Sequence, residues 1–378
     1  MRVQRIEPKS MACRPILLAS LLLPVLAWSQ TISEEVLPPP APVNALQGGW
    51  DQQQNMANAT QWELANKSAP GSAVAQWNWF QSEYAALNSR NGGVQGPGDK
   101  MALNAIANAL RTTVPNSMER HLAEYYLAFP SPAAFIELDA AYRVDPDREE
   151  LISPMLTKAL LDGDRQAQAG WSAALMSRGG MAHSLTEAAR DVLRCLPPSA
   201  VVFTNGDMDT QPLVVQQVLR SDNPGVLVVD RRLLGHLPYR ARIWQQAGGA
   251  GPVPAAGPGF AQALVQAHQR PVYFALGLDR SWLRVFPGQL NAVGAVFRVG
   301  PPSESDAASL EANWKAMAKP LHAGPLSRNY LVPGTLLLEH LRADGLTDKA
   351  QRVEAELERI AAATGASKEL RQRGILQH

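Results

Sequence analysis

The chain is poor in cysteine, with only Cys13 and Cys195 among its 378 residues. Cys13 lies in a segment that we expect to be removed on export, so the mature chain would keep Cys195 alone. A single cysteine cannot form an internal disulfide, and we expect Cys195 to be a small buried apolar residue rather than a nucleophile. The stability of the protein must therefore come from its hydrophobic core, for which the chain is long enough.

The chain also has almost no net charge, since it contains 35 basic and 34 acidic residues and its formal charge is +1. Such a chain has no long-range field to attract nucleic acid or an anionic membrane surface. The seven histidines show no His-x-x-x-His spacing, so no zinc site is predicted. Beyond the first thirty residues or so, no apolar run approaches the ~20 residues that a spanning helix needs.

Residues 1–29 have the pattern of a cleavable export signal. Arg14 precedes an apolar run from Ile16 to Trp28, and Ala27 and Ser29 are small residues at the −3 and −1 positions before Gln30. A retained membrane anchor is the alternative, disfavoured because the run is shorter than the ~20 residues of a membrane span. We predict a periplasmic or secreted protein with no integral membrane insertion after signal removal.

Composition and apolar periodicity divide the remaining chain into four segments. Residues 30–98 form a Pro-rich tether followed by an aromatic-studded part. We expect that part to form weakly helical segments that pack on the body of the protein; an exposed aromatic surface that binds sugar is the alternative. Residues 99–195 form helical hairpins, of which Phe135 to Pro146 resembles the second helix of a tetratricopeptide repeat. Residues 196–302 form an α/β domain, and residues 303–378 form a C-terminal helical segment.

The α/β domain follows from short β-branched runs that alternate with helical patterns. The runs lie at residues 200–204, 226–230, 270–275 and 293–299. We predict an α/β fold with a small, mainly parallel sheet of four or five strands, flanked in sequence by tetratricopeptide-like hairpins on both sides. The last run is expected at the sheet edge, where an antiparallel direction is the alternative.

The candidate functional site lies where the first two strands end. Ligands of open α/β sheets bind outside the carboxyl ends of the strands. The first strand runs into a polar segment, and the second ends in an acidic residue followed by two arginines. The candidate binding residues are Asn205, Asp207, Asp209, Thr210, Asp230 and Arg231.

Three interpretations of this polar segment remain open. It could be architecture, with Thr210 or Asp209 capping the following helix. It could contact a small molecule or a glycan. It could also hold a divalent cation through Asp207 and Asp209, although we otherwise expect no cofactor.

The same residues resemble the sequence motifs of two classes of enzyme. Asp207-Met208-Asp209 resembles the metal-binding Asp-x-Asp of many glycosyltransferases. Phosphatases of the haloacid-dehalogenase type use Asp-x-Asp-x-Thr, but in this chain Thr210 comes one residue too early and Gln211 stands in the threonine position. A metal-dependent enzyme is therefore the alternative to a recognition function.

Several stretches of the chain resemble one family over residues 195–365. They lie at Phe203–Leu213 (Phe-Thr-Asn-Gly-Asp-x-Asp-Thr-x-Pro-Leu), 226–234, 270–275, 296–299 and 329–363. The stretches are similar to the soluble region of bacterial multi-span membrane proteins related to protein O-mannosyltransferases. The chain departs from that pattern at four sites: Met208 and Asp230, where Asn is usual, Gln211, where an aromatic residue is usual, and Val214-Val215, where Trp-Tyr is usual.

The resemblance implies the fold and a shared exported accessory domain, not transferase activity, because the family's catalytic machinery would lie in membrane spans. Our favoured hypothesis is therefore an exported, non-catalytic recognition or scaffolding protein. It would bind an envelope or secreted protein, or a glycan, through the strand-end loops and the helical surface.

Overall fold

The computed structural model describes residues 39–90 and 96–377. The export signal at residues 1–29 and the first part of the Pro-rich tether lie outside the described residues. From Pro39 onward the chain forms one unit.

Short runs of β-branched and aromatic residues form five strands of one sheet. The strands are β1 (Val201–Thr204), β2 (Leu227–Asp230), β3 (Val272–Ala275), β4 (Leu290–Ala292) and β5 (Val296–Val299). Their order across the sheet is β2-β1-β3-β5-β4.

The sheet is mixed in strand direction. β1 pairs in parallel with both β2 and β3, as expected for strands joined by crossover helices. β5 runs antiparallel to β3, and β4 runs antiparallel to β5. The parallel core of three strands agrees with the sequence analysis, whereas a mainly parallel sheet is not confirmed because the β4–β5 hairpin completes it.

Helices make up most of the described chain. Those before the sheet are α1 (Gln52–Ser68), α2 (Ala73–Arg90), α3 (Pro97–Thr113), α4 (Met118–Ala128), α5 (Pro132–Val144), α6 (Ile152–Asp162), α7 (Arg165–Ser177) and α8 (His183–Arg194). Those between strands are α9 (Asp207–Arg220), α10 (Leu237–Gln246), α11 (Pro258–Ala267) and α12 (Arg280–Leu283). Those after the sheet are α13 (Glu304–Ala316), α14 (Pro325–Asn329), α15 (Leu331–Ala343), α16 (Thr347–Ala363) and α17 (Ser367–Gln372).

Three short 3-10 helices occur in the described chain as well, at Ala45–Gln47, Glu149–Leu151 and Arg231–Gly235. Among the described residues, no helix combines the length and the apolar character that crossing a membrane requires.

The helices form where apolar residues recur at helical spacing. In α3, the buried residues are Leu103, Ile106, Ala107 and Leu110, which fall on one face as the spacing predicts. α6 ends at Gly163, whose φ of 74° lies in the left-handed region that glycine adopts without strain. The aromatic-studded part forms α1 and α2, with Trp62 and Trp77 buried in the protein.

The sheet is covered by helices on both faces. Side chains of a strand alternate between its two faces, and in β1 Val201 and Phe203 belong to a core with α2, α3 and α4. Val202 belongs to a second core with α13, α15 and α16. We call these the N-terminal layer and the C-terminal layer. The candidate site lies at the sheet edge between them.

One buried carboxylate holds the C-terminal layer to α8. Asp191 is fully buried and accepts hydrogen bonds from the backbone N–H groups of Ala318 and Lys319, at 2.8 and 2.9 Å. The hydroxyl of Tyr330 donates a third, at 2.9 Å. A buried carboxylate is costly unless it is hydrogen-bonded, so this position depends on all three donors.

We predict that Asp191→Ala lowers the free energy of unfolding by about 3 kcal/mol or more, because it leaves three buried donors without an acceptor. Tyr330→Phe removes a single donor and should cost only about 1 kcal/mol. Denaturant unfolding of both variants measures the two losses. Equal losses would contradict a central role for the Asp191 carboxylate.

Candidate functional site

The register of β1 and β2 creates the site. Thr204 at the end of β1 lies beside Asp230 at the end of β2. The residues that follow the two strands, Asn205 to Asp209 and Arg231 with Arg232, therefore emerge side by side. This is the carboxyl edge of the parallel strands, as the sequence predicts.

The polar segment after β1 is the first turn of α9 rather than a loop ahead of it. Gly206 is the N-cap, and Asp209 is the third residue of the helix. The Asp209 carboxylate accepts hydrogen bonds from the backbone N–H groups of Asn205 and Gly206, both at 2.8 Å. Asp209 thus caps the helix from its third position, as one of the two expected candidates, whereas Thr210 takes no part in the cap.

Thr210 lies in the interior, where its hydroxyl is 2.7 Å from that of Thr204. Because the helix begins earlier than predicted, Thr210 turns toward the sheet and is buried. Its place is in packing between β1 and α9, away from the exposed face of the site.

Burial raises the pKa of Asp209 to about 6, despite the hydrogen bonds from Asn205 and Gly206 that lower it. The nearby Asp230 charge raises it further, and Arg232 lowers it. Beside Asp209 is a small cavity of about 30 Å³, lined on its far side by Asn329 and Tyr330. That volume suits a water molecule but not a larger ligand.

Arg232 is the centre of the charged cluster. Its Nε donates to Asp230 Oδ1 at 3.0 Å, and its Nη2 donates to Asp230 Oδ2 at 2.7 Å. The same Nη2 donates to Asp207 Oδ1 at 2.6 Å. One guanidinium therefore bridges the carboxylates that follow two neighbouring strands, a geometry in which arginine forms its strongest pairs.

The environment of Arg232 fixes its charge. Burial alone would lower the pKa of Arg232, but the charges of Asp207 and Asp230 outweigh it and raise that pKa. The guanidinium also lies over the ring of Phe129, 4.9 Å from its centroid, in a cation–π contact. The Asp230 side chain is 1% exposed, whereas that of Asp207 is 41% exposed.

The other candidate residues are placed as follows. Arg231 donates from Nε to Asn205 Oδ1 at 2.5 Å, and both side chains are partly exposed. Asn205, Asp207, Asp230 and Arg231 thus come together, with Asp209 beneath them. Gln211 fastens the same turn to α6 by donating to the hydroxyls of Ser153 and Thr157, at 2.9 and 3.0 Å.

Of the two arginines after Asp230, the sequence analysis chose Arg231 as the binding residue, whereas Arg232 is the one that bridges the carboxylates; it gave no role to Phe129. Arg232 follows Asp230 by two residues, and that short spacing is a signal for local pairing. Phe129 gives no such signal, because it comes from the end of α4, far earlier in the chain.

The arrangement does not offer Asp207 and Asp209 as a ready pair of metal ligands. A cation held by both would share the Asp207 carboxylate with the positively charged Arg232 and would have to displace two backbone N–H groups from Asp209. In the part of the chain that the structure describes, no group of three or more His, Cys, Asp or Glu side chains is placed to hold a metal ion.

Comparison of the chain with family models, with curated proteins and with solved structures finds no match.

We predict that Asp230→Asn costs about 3 to 5 kcal/mol of stability, because it leaves the Arg232 guanidinium without its buried partner. Asp207→Asn should cost about 1 kcal/mol or less, since Asp207 is largely exposed and Arg232 keeps both bonds to Asp230. Chemical denaturation of the two isosteric variants tests this. A larger loss for Asp207→Asn would show that Asp207 holds the cluster.

We predict that Asp209 changes the stability of the protein with pH in the opposite direction from most carboxylates. Its pKa in the folded protein is about 6, against about 3.9 in an unfolded chain. Between these values the folded state binds more protons, so acidification stabilises it through this group. The stability of the wild type relative to Asp209→Asn should therefore rise as pH falls from about 7 to about 4.

Asp279→Asn is the control for this measurement. Its hydrogen bonds with Ser281 lower the pKa of Asp279, so the folded state does not bind more protons at this group than the unfolded chain does, and acidification should not stabilise the protein through it. Denaturant midpoints at several pH values give the comparison. If the difference in stability between wild type and Asp209→Asn does not change with pH, the raised pKa of Asp209 is refuted.

Proposed function

We propose that this chain is an exported, non-catalytic recognition protein that binds a protein or glycan partner through the carboxyl edge of its sheet and the adjoining helices. One observation carries the proposal. Asn205, Asp207 and Arg231 are partly exposed, yet other protein groups hold them in fixed positions. Polar groups that are preorganised in this way lose little entropy when a partner binds.

Four features of the sequence support export and recognition. Residues 1–29 have the pattern of a cleavable signal, and the mature chain would have a single cysteine. Residues 195–365 resemble the soluble region of membrane proteins related to protein O-mannosyltransferases, which implies an accessory domain. Helical hairpins of the tetratricopeptide type commonly bind protein partners, and we keep that likeness for the flanking helices as part of the proposal.

Charge compensation favours recognition over the alternative of a metal-dependent enzyme. The Asp207 and Asp230 carboxylates both accept hydrogen bonds from Arg232, and the Asp209 carboxylate accepts one from the backbone N–H of Gly206. A glycosyltransferase-like or phosphatase-like reaction would need Asp209 to leave its backbone partners, and its cation would lie beside the positive charge of Arg232 on Asp207. Recognition needs no such rearrangement.

We predict that Asp207→Asn abolishes capture of the partner while leaving the protein folded. The tagged mature protein would be incubated with an extract of the native envelope, and bound proteins and glycans identified by mass spectrometry. Asp348→Asn is the matched control, because Asp348 is an exposed acidic residue in the first turn of α16. The control should capture the partner as the wild type does.

If Asp207→Asn captures the partner as well as the wild type does, the carboxyl edge of the sheet is not the binding surface. Thermal melting with Mg²⁺, Mn²⁺ or Ca²⁺ tests the enzyme alternative independently. A cation bound by the folded state and present at about 100 times its Kd adds about 2.7 kcal/mol of stability. Such a gain in wild type, absent from Asp207→Asn, would favour the metal-dependent enzyme.

A further inference from the structure

The outer strand of the sheet directs one residue's backbone groups away from the rest of the sheet. β2 lies at one edge, where only β1 pairs with it. The N–H of Leu227 donates to the carbonyl of Ala200, so Leu227 faces β1. Successive residues of a strand that pairs in parallel point their backbone groups to opposite sides. Val228 therefore points its N–H and its C=O outward.

The backbone groups on either side of Val228 along this edge are paired. Gln217 Nε2 donates to the Val226 carbonyl at 2.9 Å, and the Asp230 N–H donates to the Tyr239 hydroxyl at 3.0 Å. Within residues 39–90 and 96–377, the N–H and C=O of Val228 make no hydrogen bond. Free backbone groups at a sheet edge pair readily with an extended segment of another chain.

A cavity of about 50 Å³ lies beside Val228. It is bounded by the segment between α6 and α7, by α9 and by α10, which contribute Gly163, Arg165, Gln217 and Arg242 to its wall. One water molecule needs about 10–15 Å³ of such volume, so the cavity has room for about three. A carboxylate group, with one carbon and two oxygen atoms, is of that size.

The guanidinium of Arg242 is held in the wall of this cavity without a carboxylate partner. Its Nη2 donates to the backbone carbonyls of Leu160 and Leu161, at 2.7 and 2.9 Å. Gly163 makes room for it, because a Cβ at that position would lie 2.7 Å from Arg242 Cζ. Among the described residues, Nε and Nη1 of Arg242 have no acceptor, so these donors remain for a ligand.

A second arginine adds to the positive charge of the cavity. Arg165 is exposed, lines the same cavity and forms no ion pair in the part of the chain that the structure describes. Burial lowers the pKa of Arg242 and the Arg165 charge also lowers it, although Tyr239 and Asp162 raise it. The Asp162 carboxylate is itself bound to Lys158 at 2.9 Å. The cavity therefore favours an anion, and guanidinium groups suit a planar carboxylate in particular.

We propose that this cavity binds the C-terminal carboxylate of an extended peptide. The carboxylate would accept hydrogen bonds from the Val228 N–H, Arg242 and Arg165, and the N–H of the same peptide residue would donate to the Val228 carbonyl. A C-terminal residue carries its carboxylate and its N–H on one carbon atom, so it matches both free groups of Val228. A simple carboxylate such as acetate has no such donor. The site is at the outer side of β2, and the inference does not depend on the proposed function.

The experiment is an NMR titration of the full mature chain with N-acetylated tetrapeptides that differ in their last residue, each as the free acid and as the C-terminal amide. We expect at least one free acid to shift the Val228 amide resonance, and its amide to bind about tenfold more weakly or less. Arg165→Gln should weaken binding severalfold, and Arg242→Gln should abolish it in protein that thermal melting shows to be folded. Arg352→Gln is the control, because Arg352 is an exposed arginine on α16.

The inference is overturned if no free acid shifts the Val228 resonance, or if the amides bind as tightly as the acids. Binding that Arg165→Gln leaves unchanged would also overturn it, and this exposed position allows that test even if Arg242→Gln does not fold. Acetate that binds as tightly as the peptides would show that the cavity takes any small carboxylate. Binding of inorganic phosphate in place of every peptide would show that the ligand class is wrong.

Discussion

The charge of Asp230 organises the carboxyl edge of this sheet. The residue ends a buried strand, and its carboxylate has no access to water that could stabilise it. Arg232 neutralises it through two parallel hydrogen bonds, and the Arg232 backbone N–H adds another at 2.9 Å. Once held there, the guanidinium reaches Asp207 on α9 and lies over Phe129 after α4. Three elements distant in the chain meet because one buried anion needs a cation.

A compensated cluster of this kind contributes specificity more than stability. Desolvation of buried charges offsets most of their attraction, so apolar residues of similar shape often stabilise a fold equally well. What the ion cluster provides is a fixed direction for each polar group at a partly exposed edge. Asp207 keeps one carboxylate oxygen on Arg232 and presents the other outward. A binding surface benefits from that rigidity, because its groups need not be ordered on contact.

The sequence predicted those parts of the fold that depend on local pattern. Short runs of β-branched residues identified β1, β2, β3 and β5, and the crossover helix between the first two implied that they pair in parallel. β4 escaped notice because its three residues, Leu290–Ala292, include no β-branched side chain. The candidate residues do lie at the strand ends, but Thr210 turned inward with the early start of α9. The contact of Arg232 with Phe129 depends on tertiary packing and leaves no mark in either local sequence.

Asp207 and Asp209 differ because they face different layers of the protein. They are two residues apart on a helix, and such residues do not share a face. Asp207 points toward Arg232, which lies over Phe129 of the N-terminal layer. Asp209 borders the small cavity shared with Asn329 and Tyr330 of the C-terminal layer and is bonded to its own turn. The same short motif therefore contains one carboxylate that maintains the turn and one that remains open to a ligand.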